Sequence, residues 1–151
     1  MKYEHEITID VPLETAVQLF DTPDNEKYWR PEPISMEPLS GTPRQVGAKT
    51  RLKYKIGRRE MELVETITAR NLPEEFSGTY DADTMVNTIR HSFSSLGPEK
   101  TLYKTEVHYT FKSLMPKIMA LLMPGFFKNQ TYRYMKMFKD FAESKAGKLN
   151  R

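Results

Sequence analysis

Three polar residues, Glu65, Asn87 and His91, fall where the surrounding sequence predicts strand faces made of Leu, Ile, Met, Phe and Tyr. A buried polar group without a partner costs about 1–3 kcal/mol, so several on one face favour a hydrated or ligand-filled pocket over a dry core. Tyrosine hydroxyl groups add to the same face. The sequence therefore predicts a small-molecule pocket with a polar wall formed by Glu65, Asn87, His91, Tyr54, Tyr80, Tyr103 and Tyr109.

Glu65 and His91 could also form an acid–base pair. A buried carboxylate beside an imidazole has shifted pKa values and can move a proton in a cyclisation or a dehydration. The alternative is structural: Glu65 hydrogen-bonds Tyr80 on the neighbouring strand, and His91 bonds Thr105. No catalytic spacing supports the pair, so the structural roles are favoured and no catalytic residue is assigned.

Other kinds of chemistry lack the residues that they need. The histidines His5, His91 and His108 are far apart in sequence, and the last two are predicted on opposite strand faces, so no metal site is expected. The glycines are scattered, and neither a phosphate-binding loop nor a nucleophilic serine motif occurs. No cofactor is expected. The absence of cysteine fits a reducing compartment, and we expect a cytoplasmic protein.

Two hairpins must position the polar residues. The segment AKTRLKYKIGRREMELVETITA, residues 48–69, folds about Gly57-Arg58 as a two-residue turn. This register pairs apolar residues on one face and opposite charges on the other, as a sheet with one solvated face requires. The predicted inward pairs are Leu52–Leu63 and Tyr54–Met61, and the outward pairs are Lys53–Glu62 and Lys55–Glu60.

A longer hairpin is predicted about Gly97-Pro98. Symmetric pairing of its two strands turns the members of several apolar pairs to one face, and it turns His91 inward and His108 outward. The predicted inward pairs are Met85–Phe111, Asn87–Tyr109, Ile89–Val107, His91–Thr105 and Phe93–Tyr103.

Helices are predicted near both ends of the chain. After a first strand, YEHEITI, Pro12 suits the first turn of a short helix with a buried stripe of Leu13, Ala16, Val17 and Phe20. A second short helix begins at Pro23, with Thr22 as its cap, and ends at Trp29, which is predicted to anchor it.

The segment from Leu114 onward is the most apolar of the chain, and a break is predicted at Met123-Pro124-Gly125. Phe127, Tyr134, Phe138 and Phe141 then recur at helical spacing. Met123, Phe127 and Tyr134 complete the predicted ligand-binding set. The piece before the break is either a movable wall at the pocket entrance or a fixed helix.

Bulk properties limit the classes of function. The 151 residues suit one domain, residues 1–151, with a net charge of +3. No Lys/Arg run exceeds two residues, so nucleic acid is not an expected partner. The start of the chain lacks a signal peptide, and charged residues interrupt each apolar run, so no membrane span is predicted. The sequence leaves the oligomeric state open.

The order of elements and three segments, ITIDVPLETAVQLFDTPDNEKYW, ITARNLPEEF and FKNQTYRYMKMFKDFAES, resemble the START-like or SRPBCC superfamily, which includes the birch-pollen allergen and the polyketide cyclases. This resemblance implies an α+β helix-grip fold: a curved antiparallel sheet of about seven strands around a long C-terminal helix, with two short helices after the first strand. The superfamily shares a cavity rather than a catalytic motif.

The resemblance implies binding of a small hydrophobic or aromatic molecule between the sheet and the C-terminal helix. One alternative is a polyketide cyclase- or dehydrase-like enzyme that uses the same cavity. Another is an interaction module like the chaperone activators of the superfamily. The mixed charges predicted on the outer face give this last alternative little support.

Overall fold

The computed structural model describes residues 1–123 and 125–149. Within these ranges the chain forms a seven-stranded sheet with three α-helices and one 3-10 helix, which confirms the predicted α+β class and the two short helices after the first strand. In chain order the elements are β1 (Lys2–Ile9), α1 (Leu13–Phe20), the 3-10 helix (Pro23–Tyr28), β2 (Ser35–Ser40), β3 (Lys49–Ile56), β4 (Arg59–Asn71), β5 (Glu75–Ala82), β6 (Met85–Gly97), β7 (Lys100–Phe111), α2 (Leu114–Leu122) and α3 (Gly125–Leu149).

All neighbouring strands are antiparallel, in the order β1-β7-β6-β5-β4-β3-β2. Both predicted hairpin registers are confirmed. In β3 and β4, Leu52 lies opposite Leu63 and Tyr54 opposite Met61. In β6 and β7, all five predicted pairs are observed, including the pairing of His91 with Thr105.

The turn between β3 and β4 shows why this register forms. Gly57 has a φ of 64°, which glycine adopts without strain at the first position of a two-residue hairpin turn. The outward charges then interact diagonally rather than directly across the strands. Arg51 Nε lies 2.7 Å from Glu62 Oε1, and Lys53 Nζ lies 3.9 Å from Glu60 Oε2.

Two details of the short helices differ from the sequence predictions. Helix α1 begins at Leu13, so Pro12 occupies the capping position rather than the first helical position. Thr22 precedes the 3-10 helix but does not cap it, because its hydroxyl donates to the carbonyl of Gln18, one turn back in α1, at 2.7 Å. Ser, Thr, Asn and Asp side chains often satisfy nearby backbone groups in this way.

The larger of two hydrophobic clusters joins the N-terminal helices to α3. Phe20 of α1 lies at its centre, with aromatic ring centroids 5.0–6.2 Å away. Trp29 is only 4% exposed and packs edge-on against Phe138 at 4.8 Å, so it anchors the 3-10 helix as predicted. The smaller cluster lies where α2 meets β7, and its buried residues are Val107, Tyr109, Ala120 and Phe127.

The C-terminal segment is divided as predicted. α2 ends at Leu122 and α3 begins at Gly125; Pro124, within the predicted break, lies outside the described residues. In α3 the fully buried stripe is Phe127, Thr131, Met135, Phe138 and Ala142. Tyr134 and Phe141 of the predicted stripe are half-buried beside it.

α3 packs along β1 and against α1, the 3-10 helix and α2. In the part of the chain that the structure describes, no helix is long and apolar enough to cross a membrane.

Candidate functional site

The strand registers place four of the predicted site residues in one row across the inner face. Glu65 on β4 is opposite Tyr80 on β5, Tyr80 is opposite Asn87 on β6, and Asn87 is opposite Tyr109 on β7. Neighbouring strands lie about 4.8 Å apart, so adjacent side chains in such a row are within contact range. Sequence alternation predicted the inward direction of each residue, and the structure adds their alignment.

A second row contains His91. Phe76 on β5, His91 on β6, Thr105 on β7 and His5 on β1 are successive partners across the sheet. His91 faces the helices, where its ring centroid lies 5.0 Å from that of Phe20. His108 is exposed. The predicted opposite orientation of the two histidines is therefore confirmed.

His91 packs against Phe20 of the larger hydrophobic cluster, and Asn87 is opposite Tyr109 of the smaller one, so the polar residues lie where the two clusters adjoin. They keep partial solvent exposure although they occupy the middle of the sheet, whereas Tyr103 and Tyr109 are buried in the clusters on either side. A central strand face tightly covered by a helix would be buried throughout. Four of these sheet residues, together with an arginine described next, are named the inner-face polar cluster. Its members are Arg30, Glu65, Tyr80, Asn87 and His91.

Arg30 is the member that the sequence did not reveal. It follows the 3-10 helix, and its Nη2 donates to the Tyr80 hydroxyl at 3.1 Å and lies 3.6 Å from Glu65 Oε2. Its Nη1 lies 3.6 Å from Glu26 Oε2, and its guanidinium lies over the Tyr80 ring at 5.4 Å. A fixed cationic donor is thus held against the sheet. The one available signal was its position directly after the anchored Trp29.

Ion pairs hold the segment that carries Arg30. Glu26 accepts from Arg44 Nη1 at 2.6 Å, and Arg44 also contacts Asp21 at 3.1 Å. Asp21 in turn accepts two hydrogen bonds from Arg70 on β4, at 2.8 and 2.7 Å. The bond from Arg70 is the main reason that the pKa of the Asp21 carboxyl lies below its usual value. This chain ties the 3-10 helix to the sheet.

Glu65 lies opposite Tyr80 on the neighbouring strand, and its negative charge helps to raise the pKa of Tyr80. Burial is the larger cause of that increase. The Tyr80 hydroxyl therefore stays protonated, and it accepts a hydrogen bond from Arg30. The hydrogen bond expected between the Glu65 and Tyr80 side chains stays a prediction.

His91 is held neutral by its surroundings. Burial lowers the pKa of His91 to about 3, with Arg30 and Arg44 adding to the effect, even though the residue keeps some exposed surface. Its Nδ1 lies 2.7 Å from the Tyr103 hydroxyl. Burial raises the pKa of Tyr103, so its hydroxyl stays protonated, and the bond to His91 is the one shown for this hydroxyl among the described residues. The hydroxyl therefore donates to Nδ1, which places the imidazole proton on Nε2.

This geometry corrects one prediction and does not support another. The expected bond between His91 and Thr105 is wrong, because the Thr105 hydroxyl donates to Met135 Sδ at 3.2 Å. Glu65 and His91 do not form a pair either. Glu65 lies in the same row as Asn87. Asn87 and His91 are four residues apart on β6, which places the row of Glu65 about 13 Å from His91 along the strand direction.

Asn87 lies opposite Tyr109, next to the smaller hydrophobic cluster. Burial raises the pKa of the Tyr109 hydroxyl by more than Asn87 and Thr131 of α3 lower it. Oδ1 of Asn87 is buried and lacks a hydrogen-bond partner among the described residues. Such an atom costs free energy unless a donor reaches it. It is the unsatisfied acceptor of the inner-face polar cluster.

The remaining predicted site residues are only partly gathered here. Tyr54 lies beside the cluster: burial is the main cause of its raised pKa, and the charges of Arg30 and Glu65 also act on it. Tyr134 of α3 is close enough to affect the pKa of both Tyr54 and Tyr109. Phe127 is buried in the smaller hydrophobic cluster. Met123 is 54% exposed at the end of α2.

A surface groove of about 470 Å³ lies elsewhere, between the 3-10 helix and α3. It contains none of the predicted site residues and is lined by Tyr28, Met137, Asp140, Phe141, Ser144 and Lys145. Within the described ranges, no group of His, Cys, Asp and Glu side chains is arranged to hold a metal ion.

No protein-family model and no curated protein sequence matches this chain. Its fold, in contrast, matches many solved structures. An aromatase/cyclase from Streptomyces is 12% identical, with a TM-score of 0.75 over 97% of this chain and 95% of that protein. Norcoclaurine synthase from Thalictrum flavum, solved with dopamine and hydroxybenzaldehyde, is 12% identical, with a TM-score of 0.68 over 93% of this chain and 85% of that one.

A START superfamily protein from Mycobacterium smegmatis is 15% identical, with a TM-score of 0.67 over 98% of both chains. The chain thus has the helix-grip fold found across the START-like (SRPBCC) superfamily, which confirms the resemblance noted in its sequence. At these identities the likeness shows the fold alone.

Proposed function

We propose that the protein binds a small hydrophobic or aromatic molecule on the inner face of the sheet, beneath α3. The observation that carries this proposal is the partial exposure of the inner-face polar cluster between two buried hydrophobic clusters. Binding sites for small molecules are concave, mostly apolar and fitted with a few fixed polar groups. The arrangement of aromatic and polar side chains on this face fits that description.

The polar groups indicate what kind of molecule fits. Asn87 Oδ1 offers an acceptor, while Nε2–H of His91 and the guanidinium of Arg30 offer donors. Arg30 is balanced by Glu26 and Glu65, so the cluster does not demand an anionic ligand. A neutral aromatic molecule whose polar groups can donate or accept hydrogen bonds suits these partners.

Two structural neighbours support an aromatic ligand by analogy. One is named as an aromatase/cyclase, and the other was solved with two small aromatic compounds. The alternative of a cyclase-like enzyme has only this analogy in its favour, because Glu65 and His91 have different partners. Binding is therefore the function proposed.

The test uses two tryptophan variants, one at a residue whose side chain points to the inner face of the sheet and one at a residue whose side chain points to the outer face. Ile89 points inward between Asn87 and His91, whereas Thr88 points outward. Ile89→Trp should fill the site, and Thr88→Trp should leave it open. Native mass spectrometry of gently purified protein, and titration with 2-naphthol followed by NMR, measure occupancy. Thermal unfolding checks that each variant is folded.

We expect the unmodified protein and Thr88→Trp to retain a co-purifying apolar compound or to bind 2-naphthol, and Ile89→Trp to lose both. Binding by a folded Ile89→Trp variant equal to that of the unmodified protein would place the site elsewhere. Failure of the unmodified protein to carry a compound and to bind the probe would end the proposal.

A further inference from the structure

Helix α2 carries its large apolar side chains on the outside. Leu122 is 77% exposed, whereas Ala120 is 2% exposed and, with Pro116, forms the buried side. A helix that covers a core shows the opposite arrangement, with large residues inward. The exposed apolar residues of this segment are Leu114, Met115, Ile118, Met119, Leu121, Leu122, Met123 and Phe126. They are named the α2 apolar face.

This face is too large to be the scattered exposure seen on most protein surfaces. Its eight residues are nearly consecutive, and six of them are about half exposed or more. Contiguous apolar patches of this kind mark surfaces that contact other molecules. At nine residues, α2 is about 14 Å long, which is far short of the roughly 30 Å of a bilayer core. It can lie on a membrane but cannot cross one.

The charged residues of the segment that carries the face are of one sign. Between residues 112 and 139 the sequence contains six Lys or Arg residues and no Asp or Glu, in a chain whose whole net charge is only +3. Lys112 is paired with Asp81, and Lys139 is paired with Glu143. The other four, Lys117, Lys128, Arg133 and Lys136, are exposed.

We propose that the α2 apolar face and the start of α3 dock the protein on an anionic lipid bilayer. The apolar side chains enter the boundary between head groups and acyl chains, and the surrounding cations meet the lipid phosphates and carboxylates. Lys117 lies within the apolar run, where its long stem can rest among apolar groups while its ammonium reaches the head groups.

Charge complementarity favours this occupant over a second copy of the chain. A two-fold dimer formed through the face would bring two copies of the same basic segment together, and like charges at an interface are unfavourable. An anionic bilayer supplies both an apolar layer and the opposite charge. The inference does not depend on the inner-face site, because α2 presents these residues on the outside of the molecule.

The experiment is flotation of the protein with lipid vesicles. One set is pure phosphatidylcholine, and the other contains roughly one-third phosphatidylserine. The test variant is Leu121→Glu with Leu122→Glu. The matched control is Leu39→Glu with Leu96→Glu, which makes the same change in charge at two exposed leucines, one on β2 and one in the β6–β7 hairpin. Analytical ultracentrifugation without lipid follows the oligomeric state.

We expect the unmodified protein and the control to float with the anionic vesicles, less with phosphatidylcholine alone and less at raised salt. The Leu121/Leu122 variant should stay unbound. Lys117→Gln should weaken binding about fivefold, the effect of one basic residue near an anionic surface.

Three results would overturn the inference. The first is no flotation of the unmodified protein, and the second is flotation of the Leu121/Leu122 variant at the unmodified level. The third is an unmodified protein that forms a dimer and does not bind vesicles, with the dimer lost in the Leu121/Leu122 variant. None of these results bears on 2-naphthol binding, so failure here and failure of the proposed function are distinguishable.

Discussion

Acid should destabilise this fold through His91, because the folded protein holds the imidazole neutral. Burial lowers the pKa of His91 to about 3, compared with about 6.5 in an unfolded chain. Below about pH 6.5 the unfolded chain therefore binds a proton that the folded chain does not. The stabilising effect of neutral His91 is complete above about pH 6.5 and is lost as the pH falls toward 3.

The size of the effect follows from this difference. At about pH 5 the unfolded chain is almost fully protonated at this site, so the free energy of unfolding is about 2 kcal/mol lower than at about pH 7.5. The value depends little on the folded pKa provided that it lies below about 4. For a chain of this size, about 2 kcal/mol corresponds to a decrease of about 4–8 °C in Tm.

The assay is thermal unfolding by circular dichroism at about pH 7.5 and about pH 5. His91→Gln cannot take up a proton, so its Tm should decrease on acidification by about 4–8 °C less than that of the unmodified protein. It should also be less stable at neutral pH, because the ring contact with Phe20 is lost. His108→Gln, on the exposed outer face, should keep the unmodified response.

Part of the acid response should remain in the His91→Gln variant. Burial also lowers the pKa of His5, so this residue adds a smaller loss in the same pH range. The reasoning is refuted if His91→Gln and the unmodified protein lose the same Tm on acidification. NMR titration of the His91 ring with a midpoint near 6.5 in the folded protein would refute it equally.

Two further predictions concern the site and α2. Glu65→Gln removes a negative charge that lies beside Arg30 and Tyr80. The variant should stay folded, and its affinity for 2-naphthol should change about fivefold. Unchanged binding from mildly acidic to neutral pH would remove Glu65 from the site. Amides in α2 should exchange with deuterium faster than those of residues 131–142 and slow down on anionic vesicles; equal protection in both segments, with or without vesicles, would identify α2 as an ordinary core helix.

The strand registers could be predicted because two local signals agree. Gly57 and the Gly97-Pro98 pair mark the turns, and strict alternation of apolar and polar residues fixes which side chains share a face. A shift of the pairing between β6 and β7 by one residue would put His91 and His108 on the same face. The direction of each inner-face residue was therefore available from the sequence.

The partners of the inner-face residues were not available in the same way. Arg30 reaches Tyr80 on β5 and Glu65 on β4 from the end of the 3-10 helix. The ion pairs of Arg44 and Arg70 with Glu26 and Asp21, which hold this part of the chain, join residues far apart in sequence. Helical spacing also showed that α2 is apolar, but it could not show which side would face outward. That depends on small residues, Pro116 and Ala120, fitting against β7 and α3.

The two ends of the inner face differ in how firmly they are held. At one end the larger hydrophobic cluster has thirteen buried residues and is reinforced by the chain of ion pairs from Arg30 to Arg70. At the other end the smaller cluster has four, one of which is the single alanine that α2 contributes. Local opening requires less free energy where fewer apolar contacts are broken. We therefore expect a ligand of the inner-face site to enter and leave beneath α2, on the side of the molecule that we propose faces the lipid.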